Sequence, residues 1–195
     1  MSGSIPTLTP GLEVCFIGKD SSEISKEFNL KNSPLEESDC AIFIASAISG
    51  ISDADKDLWF KARELYIPSI VLVTDFESGE IDFEDMASIA GRILDPLVTP
   101  YLVLHDDSGA PIALIELETL RLYDYSNGKR EIRDSESEHK ILVQEFQTEF
   151  LEKIEEFGPT GFADALLFPA IPYLSKVEMG KKETLEYLAQ LPVRS

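Results

Sequence analysis

The residues able to do chemistry in this chain are few and scattered. Gly18-Lys19-Asp20-Ser21-Ser22 follows the apolar run Val14-Cys15-Phe16-Ile17 and precedes a helical pattern that continues through Phe28. A glycine and a lysine at a strand-to-helix turn can meet an anion, the glycine through close backbone approach and the lysine through its charge. Asp20 directly after the lysine opposes such a contact, so an ordinary turn is the leading reading of these residues. A second cluster is acidic: Asp75, Glu77, Glu80, Asp82, Glu84 and Asp85, with no base among them. No glycine-centred calcium loop with a closing glutamate is present. Carboxylates meeting the positive end of a helix explain the run more simply than a metal does. His105 and His139 lie in unrelated segments, and neither stands beside a serine or cysteine in a nucleophile pattern. No catalytic residue and no metal site is therefore assigned.

The elements that hold these residues are clearer than the residues themselves. Cys40 to Ala47 and Ile70 to Val73 are apolar without alternation, as in parallel strands covered on both faces. Between them, Ser52 and Asp55 form an S-x-x-D helix start, with Leu58, Ala62 and Leu65 on one side of the helix. Pro68 ends the turn and launches the second strand. Strand, helix, strand is a βαβ unit. Trp59, Phe60 and Tyr66 ride on this helix; Phe60 and Tyr66 read as core, and Trp59 as the candidate partner-facing aromatic.

Further on, Pro100 to Leu104 and Pro111 to Tyr125 are strand candidates, and Asn127-Gly128 signals a hairpin leading into Lys129 to Arg133. Ser137 to Phe157 carries Leu142, Val143, Phe146, Phe150, Ile154 and Phe157 at helical spacing. Its outer face is acidic, with Glu145, Glu149, Glu152, Glu155 and Glu156. Glu145, Glu149, Glu152 and Glu156 are candidate partner contacts beside the alternative of a solvated face. Leu166 to Ile171 reads as a last buried strand and Thr184 to Leu191 as a closing helix. Met1 to Pro10, rich in Ser, Thr, Pro and Gly, reads as a loose arm.

Composition sets further bounds. At 195 residues and 44% hydrophobic content the chain can bury one good core with an appended lobe. Its 36 acidic and 17 basic residues give a formal charge of -19. Nucleic-acid backbones are disfavoured as direct partners, because that affinity comes from cations releasing counterions. A basic protein surface is the better match. Cys15 and Cys40 sit inside apolar strands as reduced core thiols, and no signal peptide or membrane-length apolar run occurs, so a cytoplasmic protein is expected.

The stretch DCAIFIASAISGISDADKDLWFKARELYIPSIVLVTDF resembles the fourth strand, following helix and fifth strand of the G domain of elongation factor G. The likeness rests on the D-x-A start, the small-residue strand end with Gly-Ile after it, and E-L-x-I-P before the next strand. It is best over Ser38 to Asp95. The resemblance implies a P-loop NTPase-like, doubly wound α/β sheet, mainly parallel, with an inserted α+β subdomain. Residues 1–99 would form the first part of the core, 100–161 the insertion, and 162–195 the final strand and helix, ending about where the family begins its second domain.

The same resemblance shows what is altered. Where the family has its phosphate-binding loop, this chain has Glu13 at the first glycine position, then Gly18, Lys19, Asp20 and Ser21. Where it reads guanine with N-K-x-D, the chain has Thr74, Asp75, Phe76 and Glu77. Its Ser-Ala signature is replaced around Tyr173. About twenty residues between Gly18 and Asp39 leave no room for either switch or for two edge strands. A four-strand parallel remainder is expected, with the first strand turned into an edge that the arm or the Lys31 to Ser38 loop covers, or that a partner strand extends. The resemblance thus implies a degenerate GTPase-like domain without a cofactor, serving as a protein-binding module near the translation machinery. In the family the insertion meets the ribosomal stalk protein, which makes a ribosomal or stalk protein the implied partner. The alternatives are an atypical GTP- or GDP-binding enzyme with Mg²⁺, and an N-terminal remnant of a longer factor.

Overall fold

The computed structural model describes residues 4–78 and 80–194. Strands β1 (Val14–Ile17), β2 (Cys40–Ser46), β3 (Ser69–Thr74) and β8 (Ala170–Pro172) pair in parallel in the order β1-β2-β3-β8. The expected four-strand parallel sheet is therefore present. Every residue of β2 is buried, as is every residue of β3 up to Val73, which is why their sequences run apolar without alternation. Helices α1 (Ser21–Glu27), α2 (Asp53–Glu64) and α3 (Phe83–Ile93) connect the strands. Ser52 and Asp55 close a reciprocal capping box at the start of α2, and Asp82 caps α3 through the Asp85 N–H. Asp82, Glu84 and Asp85 of the acidic run thus sit at a helix start, where negative side chains are favoured.

A second sheet is antiparallel and runs in chain order: β4 (Tyr101–His105), β5 (Pro111–Glu116), β6 (Arg121–Asp124) and β7 (Glu131–Asp134). The single strand expected over Pro111 to Tyr125 is in fact two. Leu120, at φ 57°, reverses the chain and donates its N–H to the Glu116 carbonyl, and Thr119 donates to the Glu116 side chain. The Asn127-Gly128 hairpin joins β6 to β7 as its residues require, Gly128 standing at φ 72°.

The single helix expected over Ser137 to Phe157 is broken at Val143 into α4 (Ser137–Leu142) and α5 (Gln144–Phe157). The break turns Leu142 outward at 73% exposure and leaves Phe146 at 46%, while Val143 and Phe150 stay buried. The last strand begins later than its apolar run, with Leu166 half exposed, and helix α6 occupies Lys181–Leu188.

The edge of β1 is covered from within the chain. Ser33 N–H donates to the Val14 carbonyl at 2.9 Å, and the Asn32 carboxamide accepts from Phe16 N–H at 2.8 Å and donates back to the Phe16 carbonyl at 3.3 Å. One side chain supplies both bonds that a neighbouring strand would supply. The arm is also tied down: Thr9 Oγ1 donates to the Leu191 carbonyl at 2.7 Å, so the expectation of a loose arm fails for the residues nearest the core, and Met1 to Gly3 lie outside the described residues.

Trp59 is fully buried, so its reading as a partner-facing residue is corrected. Its ring packs edge-on between Phe43 and Phe168, and its indole N–H donates to Asp95 at 2.8 Å. That hydrogen bond offsets the cost of taking the indole N–H out of water. Phe60 and Tyr66, expected in the core, are exposed instead, at 41% and 75%. Cys15 and Cys40 are buried free thiols; burial first, then the Glu36 charge, pushes Cys15 up to about 11.

Candidate functional site

In open parallel α/β sheets, ligands bind in the crevice beyond the carboxyl ends of the strands. Here that crevice is a cleft of about 310 Å³ beyond β1, β3 and β8. Its walls include Asp20 and Glu23 from the start of α1, Glu27 from its end, Thr74, Asp75 and Glu77 after β3, and Tyr173 after β8. The structure therefore brings together Asp20, Thr74, Asp75, Glu77 and Tyr173 of the predicted set. Gly18 and Ser21 line a shallow groove on the other side, with Asn32, Asp55 and Leu58.

Gly18 has a packing reason for being glycine. At φ 115°, a Cβ there would lie 2.8 Å from the Ile44 carbonyl oxygen of β2. The close approach is to the neighbouring strand.

Asp75 organises the cleft. It stands in the left-handed region at φ 62°, and its carboxylate accepts from Lys19 Nζ at 3.2 Å, from Ser46 Oγ, and from Thr74 Oγ1 at 3.4 Å. Ser46, fully buried, in turn accepts from the Ile48 and Ser49 N–H groups at 3.2 and 3.1 Å and so fixes the turn after β2. Partial burial pushes the Asp75 carboxyl up, but the Ser46 and Lys19 hydrogen bonds and the lysine charge outweigh it, holding the group below the usual carboxylate range. On the opposite wall, Glu27 accepts from the Tyr173 hydroxyl and from Ser175 Oγ, the latter at 2.8 Å. Burial, then that contact with Glu27, raises the Tyr173 phenol.

Glu23, Glu27, Ser46 and Ser175 were missed by sequence reasoning. Glu23 and Glu27 carried a signal, since residues four apart share one face of a helix. The serines carried none, because serines are common both at strand ends, as Ser46 is, and in short helical turns, as Ser175 is.

Chemically, the cleft is lined by five carboxylates, and Lys19 beside it is engaged with one of them, Asp75. A nucleoside triphosphate with Mg²⁺ needs preorganised donors aimed at its phosphates. The residues present do not fit that group: Lys19 is turned to Asp75, and Asp20, Glu23, Glu27 and Glu77 would face phosphate with like charge. Among the described residues, no three His, Cys, Asp or Glu side chains converge into a metal-binding group.

The candidate partner residues Glu145, Glu149, Glu152 and Glu156 are all exposed along α5. Glu149 and Glu152, with Phe146 and Phe150, line a groove of about 350 Å³ against Leu97 and Val98. Lys153 pairs with Glu156 at 2.8 Å.

The fold and the cleft define an α/β domain whose crevice beyond the parallel strands is walled by carboxylates and whose chain places an antiparallel sheet before the last parallel strand. Among known proteins the likeness in sequence is to an elongation factor G-like protein. The chain is 25% identical over 176 residues to an elongation factor G-like protein of Mycobacterium tuberculosis, in both strain CDC 1551 / Oshkosh and strain ATCC 25618 / H37Rv, an alignment covering 78% of this chain and 24% of the relative. A crystal structure of a Thermus thermophilus protein superposes with a TM-score of 0.71 at 25% identity, over 82% of this chain and 27% of that one. The chain thus spans about a quarter of the length of these relatives. No protein-family model matches it. Among the described residues no helix is long and apolar enough to cross a membrane.

Proposed function

We propose that this chain is a degenerate G-domain-like module of the P-loop type, a pseudoenzyme that works in the cytoplasm as a protein-binding element near the translation machinery. Residues 1–99 and 162–195 make its core and 100–161 its inserted subdomain. The observation that carries this reading is the pairing of Lys19 with Asp75, itself one of five carboxylates that line the cleft. A lysine held there offers no free cation to a phosphate, and function follows the site rather than the fold.

The proposed contact surface is the acidic outer face of α5 with the groove beside it. Glu149 and Glu152 flank Phe146, whose ring is 46% exposed, so the face offers an apolar anchor within a negative rim. A basic protein surface complements it, and a ribosomal stalk protein is the partner we propose.

The test is fluorescence anisotropy of a labelled stalk protein titrated with the chain. Saturable binding is expected, weakened at least about fivefold by the double reversal Glu149→Lys and Glu152→Lys. Absence of saturable binding, or binding that the reversal leaves unchanged, contradicts the assignment.

A further inference from the structure

A second pocket, of about 200 Å³, opens between the β6–β7 hairpin and the start of α6, and it shares no lining residue with the acidic cleft. Lys129, Arg130, Lys181 and Lys182 all line it. That is four of the chain's 17 basic residues in one small pocket of a protein with formal charge -19. Nothing in local helix or hairpin structure requires such a gathering, because like charges brought together repel.

Arg130 is held in place by the residues behind it. Its guanidinium stacks over the Tyr123 ring at 3.8 Å and pairs with Glu186 at 2.9 Å and with the fully buried Glu183 at 3.0 Å. Its Nε–H is buried and lacks hydrogen-bond geometry to any acceptor in spite of the Glu183 pairing. Tyr125 fixes Glu183 in turn, donating to its two oxygens at 2.7 and 2.8 Å. Such layered support fixes the guanidinium as a rigid cation in the pocket wall.

The charges do not cancel. Glu183 and Glu186 answer Arg130 from outside the lining, and Glu178, which pairs with Lys181 at 2.6 Å, is the carboxylate that lines the pocket beside the four bases. Lys129, exposed on the hairpin turn, makes no ion pair among the described residues. Burial, then the Arg130 charge, hold the Lys182 ammonium below the ordinary lysine value. An anion in the pocket offsets that repulsion. The remaining lining includes Ile5, Val177 and Leu185, which suit an apolar body. The volume lies below the roughly 300–1,000 Å³ typical of drug-sized ligands, so the occupant is smaller than a nucleotide.

We propose that this pocket is a binding site for a small organic anion: one phosphate or carboxylate head held by Arg130, Lys129 and the α6 lysines, on a compact apolar body against Val177 and Leu185.

The experiment is isothermal titration calorimetry of the full chain at low ionic strength with phenyl phosphate and, separately, benzoate, each against a chloride control of equal ionic strength. Saturable one-to-one binding of at least one compound is expected, and the arm that binds more tightly identifies the head group. Lys129→Glu should weaken it about tenfold, since a charge-assisted contact turns into a like-charge one. Lys129→Ala, milder and on an exposed turn, should weaken it in the same direction with unchanged far-UV dichroism. Lys19→Glu, in the other cleft, should leave it unaltered. The site is overturned if neither compound saturates by about 10 mM, ten times a 1 mM dissociation constant. Binding that survives both Lys129 variants, or that Lys19→Glu abolishes, overturns it equally.

Discussion

The acidic cleft and the basic pocket are built from opposite charges within one small chain, and they treat their cations differently. In the cleft, Lys19 is drawn onto Asp75, with Ser46 and Thr74 completing that carboxylate's hydrogen bonds. In the pocket, Arg130 is paired by Glu183 and Glu186, which do not line it, while Lys129 and the α6 lysines share the lining with Arg130. A paired cation facing a wall of acids is neutralised; a paired cation with further bases beside it still leaves the site short of negative charge. The crevice beyond the strands is where this fold class binds ligands, yet the cations that an anion needs have gathered elsewhere. The difference teaches that the position of a site on a fold and its electrostatic capacity are separate properties.

The two regions meet at Gly180, and altering it should produce the largest effect. Gly180 precedes α6, and at φ 85° a Cβ would lie 1.8 Å from the Pro172 carbonyl oxygen, next to cleft residue Tyr173. Gly180→Ala should cost roughly 3–5 kcal/mol in urea unfolding and disturb both sites at once. Gly109→Ala is the control: Gly109 has nearly the same φ, 84°, but nothing within 4 Å, and should lose only about 1 kcal/mol.

Asp75→Asn sharpens the comparison at smaller cost. It releases Lys19 and lowers the negative charge of the cleft without touching the basic pocket. The folded Asp75 carboxyl titrates below its ordinary value, so the stability it contributes is present above the unfolded value and is lost as the pH falls through the folded one. The substitution should therefore cost about 1 kcal/mol at neutral pH. The difference from the parent protein should vanish once the medium is acid enough to protonate the folded group. Paired urea melts across acid pH would show this convergence; a cost that persists there would place Asp75's contribution in packing instead of charge.

Much of the core was legible in the sequence because its signals are local. The unbroken apolar runs at β2 and β3, the Ser52/Asp55 box and the Asp82 cap all act within a few residues, and all appear where expected. The aromatic assignment on α2 was inverted. Trp59 entered the core because Asp95, 36 residues away, accepts its N–H, and no local pattern announces such a partner. The break at Val143 had no glycine or proline to mark it, and helical spacing continued across it.

Of the cleft, the residues after β1, β3 and β8 could be placed together once the strands were taken as parallel neighbours. Glu27 and Ser46 joined them only through the packing of α1 and the turn after β2. The basic pocket was not legible at all, because Lys129-Arg130 and Lys181-Lys182 are two separate dipeptides that only the packing of the hairpin on α6 brings together.

The central claim, that the crevice beyond the strands is closed to guanine nucleotides, is tested most directly by thermal unfolding with millimolar GTP or GDP and Mg²⁺, against ATP at matched ionic strength. A nucleotide at about 100 times its dissociation constant would add about 2.7 kcal/mol and raise the Tm by several degrees. The account predicts no rise with GTP or GDP beyond that given by ATP. A guanine-specific rise that Lys19→Ala removes would contradict it and make the cleft a nucleotide site.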